Sequence, residues 1–252
     1  MTTAIVSAMA EEQHGMLELL GNVVTITHAG RDFHRGAYRG HDVVLVLARI
    51  GKVAAATTAT ALIDKFAVKR IAFTGVAGGL GANVRVGDVV VADSFMQHDM
   101  DASPIFPKYE IPLYGLSRFV ADPLMTQALQ AASLATVASP AGTLGSNALQ
   151  EFGIAAPRVH TGLLISGDRF VSTNAESQAL RDALPQALAC EMEGSAVAQV
   201  CHDYGIPFAA MRTISDRADD AAHVDFPRFI EQVAGPYAAG VMKRFLDLLP
   251  PV

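Results

Sequence analysis

The sequence predicts an α/β protein whose sheet is mostly parallel and is covered by helices on both faces. Three observations carry this reading. Short β-rich apolar runs recur along the chain, helical patterns lie between several of them, and 51% of the 252 residues are hydrophobic, enough for a sizeable core.

Taken in order, the first run is "TAIVSAM" (3–9), followed by a helical pattern over 11–20. "DVVLVLARI" (42–50) leads into a helix over 52–66, and "RIAFTGV" (70–76) and "DVVVADSFM" (88–96) add two more strands. A helix over 122–133 precedes "VHTGLLISG" (159–167), and a helix over 174–184 precedes "QALACEM" (186–192). A helix over 193–204, the strand "PFAAMRTIS" (207–215) and a closing helix over 227–248 complete the set. Most of these runs lack an alternating polar face, as expected of strands buried on both sides. No repeat, low-complexity tract or linker divides the chain, so residues 1–252 are expected to form one domain. Two stretches stand apart from this pattern. The proline-bearing segment 97–119 is long for a loop in a compact domain, and 218–227 is acidic, with His223 in it, and has the character of a lid or a surface loop.

Composition excludes several function classes. A formal net charge of -6, with 19 scattered Lys and Arg, leaves no basic stripe for nucleic acid. The start lacks a basic leader and no segment approaches 18 uncharged apolar residues, so neither export nor a membrane partner is expected. Cys190 and Cys201 form no metal-binding or disulfide pattern and read as core thiols of a cytoplasmic protein. His98, Asp99 and Asp101 in "HDMD" have metal-ligand residue types but no second cluster at ligand spacing, so structural hydrogen bonding is expected of them.

Open parallel sheets bind ligands beyond the carboxyl ends of their strands. Acids fall at three such ends: Glu11 and Glu12 after the first strand, Glu191 and Glu193 in "ACEMEGSAVA", and Asp216 with Arg212 and Ser215 just before it. Each has a plain explanation, since Glu12 and Glu193 suit helix starts and Asp216 can pair with an arginine. Their coincidence at one sheet edge points to chemistry instead. A fourth element, "TGVAGGLGANVRVGD" (74–88), offers glycines that let backbone approach a ligand, or simply turn tightly. It matches neither dinucleotide nor triphosphate fingerprints.

With these pieces in order, the chain resembles the 5'-methylthioadenosine/S-adenosylhomocysteine nucleosidases of the nucleoside phosphorylase superfamily. The likeness rests on "AMAEE" (8–12), "IGKVAAA" (50–56), "TGVAGGL" (74–80), "VGDVVVAD" (86–93), "HDMD" (98–101), "SGDRFV" (166–171), "EMEGSAVAQVCHDYGIPF" (191–208) and "RTISD" (212–216), and runs nearly end to end. It implies a three-layer α/β/α sandwich with a central mixed, mostly parallel sheet, a homodimer, and hydrolysis of an adenine nucleoside without cofactor or metal. By position it implies that Glu12 acts on the attacking water, Asp216 protonates adenine N7, and Glu193 holds the ribose 2'-hydroxyl. It further implies that Glu191 holds the 3'-hydroxyl, Met192 packs on the ribose, Phe170 and Val171 meet adenine, and Arg212 and Ser215 support the acids. Ala77 and Gly78 in the glycine segment, and Phe226 beside the acidic loop, complete the expected substrate contacts. The physics agrees: breaking a C–N bond to a purine builds positive charge on the sugar and negative charge on the base, calling for an anion at one and an acid at the other.

Two departures mark this chain. Val76 stands where the family often has Ser, and Ser7 where it often has Gly, so Ser7 is expected to supply the missing hydroxyl from the facing strand. Arg49 in "LARIGK" keeps a phosphate-using phosphorylase open as an alternative, its plain reading being a surface arginine. Further alternatives are a nucleosidase of another adenine nucleoside and a protein that binds purine nucleosides without turnover. The segment 97–119, with Ile105, Phe106, Tyr109, Leu113 and Tyr114, either covers a partner's pocket or packs a dimer.

Overall fold

The computed structural model describes residues 2–13, 15–217 and 226–250. Among the described residues ten strands form one sheet: β1 (Thr2–Ser7), β2 (Gly21–His28), β3 (Arg31–Tyr38), β4 (His41–Leu47), β5 (Arg70–Gly79), β6 (Val89–Gln97), β7 (Phe119–Val120), β8 (Val159–Ser166), β9 (Ala187–Glu191) and β10 (Phe208–Asp216). The helices are α1 (Lys52–Asp64), α2 (Pro123–Val137), α3 (Pro140–Glu151), α4 (Asn174–Ala183), α5 (Gly194–Tyr204), α6 (Phe226–Phe229) and α7 (Gly235–Leu248), with one π turn, Ile230–Ala234, joining the last two.

Strands β4, β1, β5 and β10 run parallel in that order. Beyond them β10 pairs antiparallel with β6, and β6, β8 and β9 are again parallel. The end of β9 then meets the end of β5 antiparallel, Cys190 opposite Gly78 and Ala189 opposite Gly79. Five strands, β5, β10, β6, β8 and β9, therefore close into a ring, while β1, β4, β3 and β2 extend the sheet away from it. Only one strand belongs to both parts: β5 pairs with β1 through its first half and with β10 through most of its length.

The two cores follow from strand alternation. Val44 and Val46 point to one face, where α1 and α5 pack with Leu62, Val197 and Phe73. Val43 and Leu45 point to the other, where α2, α3 and α7 bury Leu129, Ala148, Tyr237 and Phe245. This is a three-layer α/β/α sandwich around a mixed sheet. Local signals set the helix ends: the Asp122 carboxylate accepts the Met125 N–H at 2.9 Å ahead of Pro123, and Gly205 adopts φ 63° to end α5. Among the described residues no helix is long and apolar enough to cross a membrane.

The structure corrects the sequence-based elements in three places. Residues 11–20 form two short 3-10 turns rather than a helix, because Gly15 turns at φ 78° and the Glu12 side chain is tied back to the backbone ahead of it. A β2–β3 hairpin occupies part of the unassigned span 21–41, β2 being exposed along its whole length. Helix α3 forms despite Gly142 and Gly145, with a kink where Gly145 has φ 77°.

Leu62 is fully buried between α1 and the sheet. Leu62→Ala is expected to cost roughly 2–5 kcal/mol of stability, read from the denaturant midpoint. A loss well below 1 kcal/mol would contradict the tight packing of this layer.

Candidate active site

The carboxyl ends of β1, β5, β9 and β10 converge on one cavity. It is lined by Glu12, Ala77, Gly78, Phe170, Val171, Glu191, Met192, Glu193, Arg212, Ser215, Asp216 and Phe226, so every site residue expected from the sequence meets in one place. The sequence reading did not count Ala8, Met9, Ile50, Phe73, Gly75, Val76, Arg169 and Cys190 among the site residues, though it named Val76 as a departure and Cys190 as a core thiol, and all eight also line the cavity. Their positions beside the motif residues, Ala8 and Met9 before Glu12 and Cys190 before Glu191, were the available signal.

Glu12 sits on a 3-10 turn, 1% exposed. One carboxylate oxygen accepts the N–H groups of Ala8 (2.9 Å) and Met9 (3.0 Å), and the other accepts that of Val76 (3.2 Å). Gly75 makes room for it, since a Cβ there would lie 3.0 Å from Oε1. Burial pushes the Glu12 carboxyl above its ordinary value, against the opposing Met9 N–H, the Arg212 charge and the N–H groups of Ala8 and Val76.

Glu191 ends β9 and is held by five bonds from four donors. Arg212 Nη2 donates at 2.8 Å, the N–H groups of Glu193 and Gly194 donate at 3.1 and 2.9 Å, and Ser166 Oγ donates to the other oxygen. Gly194 N–H also reaches that second oxygen at 3.0 Å. Any substrate hydroxyl must compete with these bonds. Arg212 itself is 1% exposed, lies over the Phe73 ring at 4.2 Å, and donates to the carbonyls of Met211 and Phe73.

Glu193 precedes α5 and accepts the Gly51 N–H at 2.8 Å. Burial, then the Glu191 charge, pushes its carboxyl up to about 8, with Gly51 N–H and Arg212 opposing and Glu12 adding to the rise. On the facing wall Asp216 closes β10 after a bulge and accepts Ser215 Oγ at 2.6 Å. Phe170 meets Phe226 edge to face, the ring centroids 6.1 Å apart. This arrangement brings a deeply held carboxylate, a second carboxyl that burial and Glu191 push up, and a third acid to one cavity that an aromatic pair also lines.

Other expectations resolve as follows. Arg49 does not line the cavity; it adopts φ 66° and donates to the Gly30 carbonyl at the hairpin tip. Ser7 is fully buried but does not line the cavity either, and its hydroxyl makes no hydrogen bond among the described residues. Cys190 and Cys201 are free buried thiols; burial pushes Cys190 up to about 12, reinforced by Asp216 and Glu191, and burial alone raises Cys201. Among the described residues no cluster of His, Cys, Asp or Glu has metal-site geometry, while Asp99 bonds to Lys52 and Asp101 to Ser103. His223 lies outside the described residues.

This fold and this cavity define the class, and the chain belongs to the phosphorylase superfamily, whose family model matches residues 2–247. Within it the chain falls among the 5'-methylthioadenosine/S-adenosylhomocysteine nucleosidases, being 33% identical over 251 residues to that protein of Shewanella baltica (strain OS195), with 100% of this chain and 98% of the relative covered. The crystal structure of the nucleosidase from Colwellia psychrerythraea 34H in complex with adenine superposes with a TM-score of 0.86 at 30% identity, covering 100% of this chain and 96% of that one. Futalosine hydrolase of Helicobacter pylori superposes with a TM-score of 0.82 at 31% identity, covering 98% of each chain.

The raised Glu193 carboxyl has a consequence for stability. A carboxyl that holds its proton more tightly folded than unfolded stabilises the fold fully below its ordinary value of 4.5 and loses that contribution as pH rises to about 8. Glu193→Gln, neutral throughout, is therefore expected to gain stability relative to the parent chain between pH 5 and pH 8. Thermal unfolding midpoints of both proteins across that range check this; a constant difference would sink it.

Proposed function

We propose that this chain hydrolyses the N-glycosidic bond of 5'-methylthioadenosine and S-adenosylhomocysteine, releasing adenine and the 5'-thio-substituted ribose. The observation that carries the reading is the convergence of Glu12, Glu193 and Asp216 on one cavity rimmed by Phe170 and Phe226. Asp216 faces the purine and delivers a proton to N7, so the base leaves as neutral adenine. Glu193 accepts the ribose 2'-hydroxyl, a bond that strengthens as the sugar becomes cationic. Glu12 orients water and takes its proton; its raised carboxyl makes it a stronger base once ionised. Met192 packs on the sugar, Val171 and the backbone around Ala77 and Gly78 border the base, and Glu191 serves chiefly to seat Arg212 and the start of α5. The alternative of phosphate as the second substrate loses its main support with Arg49 turned to the hairpin.

Substrate breadth at the 5' end is the place for a second reading. Met9, Ile50 and Phe226 give an apolar mouth that suits a thioether, and the likeness to a futalosine hydrolase extends the candidates to other adenine nucleosides with bulky 5' groups. Both readings keep the same bond cleavage.

We place residues 1–252 in a single nucleosidase domain, in the cytoplasm given its two free thiols, and acting as a homodimer. The segment 98–118 and the neighbouring α1 expose Ile105, Leu113 and Val53, at 82%, 90% and 77%, an apolar surface a second copy would cover. Light scattering is expected to give twice the 26.6 kDa chain mass, and the Ile105→Asp, Leu113→Asp double variant the single mass. A monomeric parent chain would end the dimer reading.

Incubation with 5'-methylthioadenosine, with and without phosphate, is expected to release adenine and free methylthioribose in both buffers. Phosphate-dependent release of a sugar 1-phosphate would make the chain a phosphorylase, and no release would leave binding alone. Asp216→Asn is expected to lower kcat by roughly 10²- to 10⁴-fold. Near-normal turnover would remove Asp216 from the acid role.

A further inference from the structure

The "HDMD" stretch has no part in the chemistry above, yet it is wired to it. The Lys52 ammonium donates to Asp99 Oδ1 at 2.6 Å and to Gln97 Oε1 at 3.0 Å. The other oxygen of Asp99 accepts the Asp168 N–H at 2.9 Å, and the Asp168 carboxylate in turn accepts the Lys52 N–H at 2.7 Å. Asp99, Asp168 and Lys52 thus form a closed ring of three bonds tying the end of β6, the turn after β8 and the first residue of α1.

The next N–H along from Lys52, that of Gly51, is the one that donates to Glu193. Two consecutive N–H groups therefore point to two carboxylates, and the second of the two peptides that carry them, Gly51–Lys52, is held by the ring. Packing alone does not hold it there. Arg49 and Gly51 both have positive φ, 66° and 97°, and Ile50 between them is 57% exposed. Glycines mark the tightness of the assembly: a Cβ on Gly51 would lie 3.1 Å from Asp168 Oδ1, and one on Gly167 would lie 2.4 Å from His98 Nε2 and 3.1 Å from Asp99 Cγ. The Asp99 carboxyl sits below its ordinary value: burial raises it, but the bond from Lys52, the Asp168 N–H and the Lys52 charge prevail.

We propose that Asp99, through Lys52 and Asp168, is a positioning residue that fixes the Gly51 N–H on one oxygen of Glu193 and so sets the grip of Glu193 on the substrate's 2'-hydroxyl. This rests on the role given to Glu193 above. A misplaced acceptor loses most in the transition state, where that hydrogen bond is strongest, so the defect falls on kcat rather than KM.

The test compares Asp99→Asn and Asp168→Asn with the parent enzyme on 5'-methylthioadenosine and on its 2'-deoxy analogue, with thermal midpoints taken alongside to confirm folding. The expected result is a kcat loss on the order of 10- to 100-fold on the ribosyl substrate with KM little changed. On the 2'-deoxy substrate, and in a Glu193→Ala background, the loss is expected to shrink to within about twofold. An equal loss on both substrates and in both backgrounds, or an unchanged kcat, would overturn the proposal. Should the parent chain release no adenine, the hydrolase reading fails separately. Calorimetric affinities for adenosine and 2'-deoxyadenosine then decide the positioning role: it stands if Asp99→Asn weakens only the first, and falls if both weaken alike or neither does.

Discussion

The cavity is organised around the buried ion pair between Arg212 and Glu191. Three glutamates, Glu12, Glu191 and Glu193, crowd one side of a largely apolar site, and Arg212 is the cation whose charge bears on both Glu12 and Glu193. A buried pair of this kind adds little net stability, because the desolvation of both charges offsets their attraction. What it does here is chemical. It occupies Glu191, and the Arg212 charge opposes the upward push of burial on Glu12, while on Glu193 the Glu191 charge adds to that push ahead of the opposing Arg212.

The remaining polar groups form a graded series of constraint. Glu12 is buried and accepts three backbone N–H groups, which fix its carboxylate in place. Glu193 has one such bond, and that bond comes from a loop held by a separate polar network. Asp216 is the last residue of β10, after a bulge, and accepts a bond from the neighbouring Ser215. Constraint thus falls from Glu12 to Glu193, from three backbone donors to one.

Much of the fold is legible in the sequence because buried parallel strands leave a plain mark. "DVVLVLARI" and "DVVVADSFM" carry apolar residues on both faces, and the structure needs both. The exposed β2 strand leaves no such mark: its Val23, Val24 and Ile26 face solvent, so nothing distinguishes it from loop except its pairing with β3. The 11–20 segment misleads for a different reason. Its apolar spacing is helical, but the Glu12 carboxylate captures N–H groups from Ala8 and Met9 and the chain turns sharply at Gly15. The site carboxylates are legible from their places after strands, whereas the partners that tune them are not. No spacing rule brings Gly51 to Glu193 across 142 positions, and only the folded sheet does so.

The double membership of β5 bears on how such a protein can change over evolutionary time. Glu12 leans on β5 through Val76, and Asp216 lies beside it at Gly78, so these two carboxyl groups are referenced to a strand that the ring locks from both sides. The β2–β3 hairpin lies outside that ring and supplies no residue to the cavity lining. It can lengthen, shorten or exchange residues without moving the residues that line the cavity, which makes the architecture a fixed core with a replaceable flank.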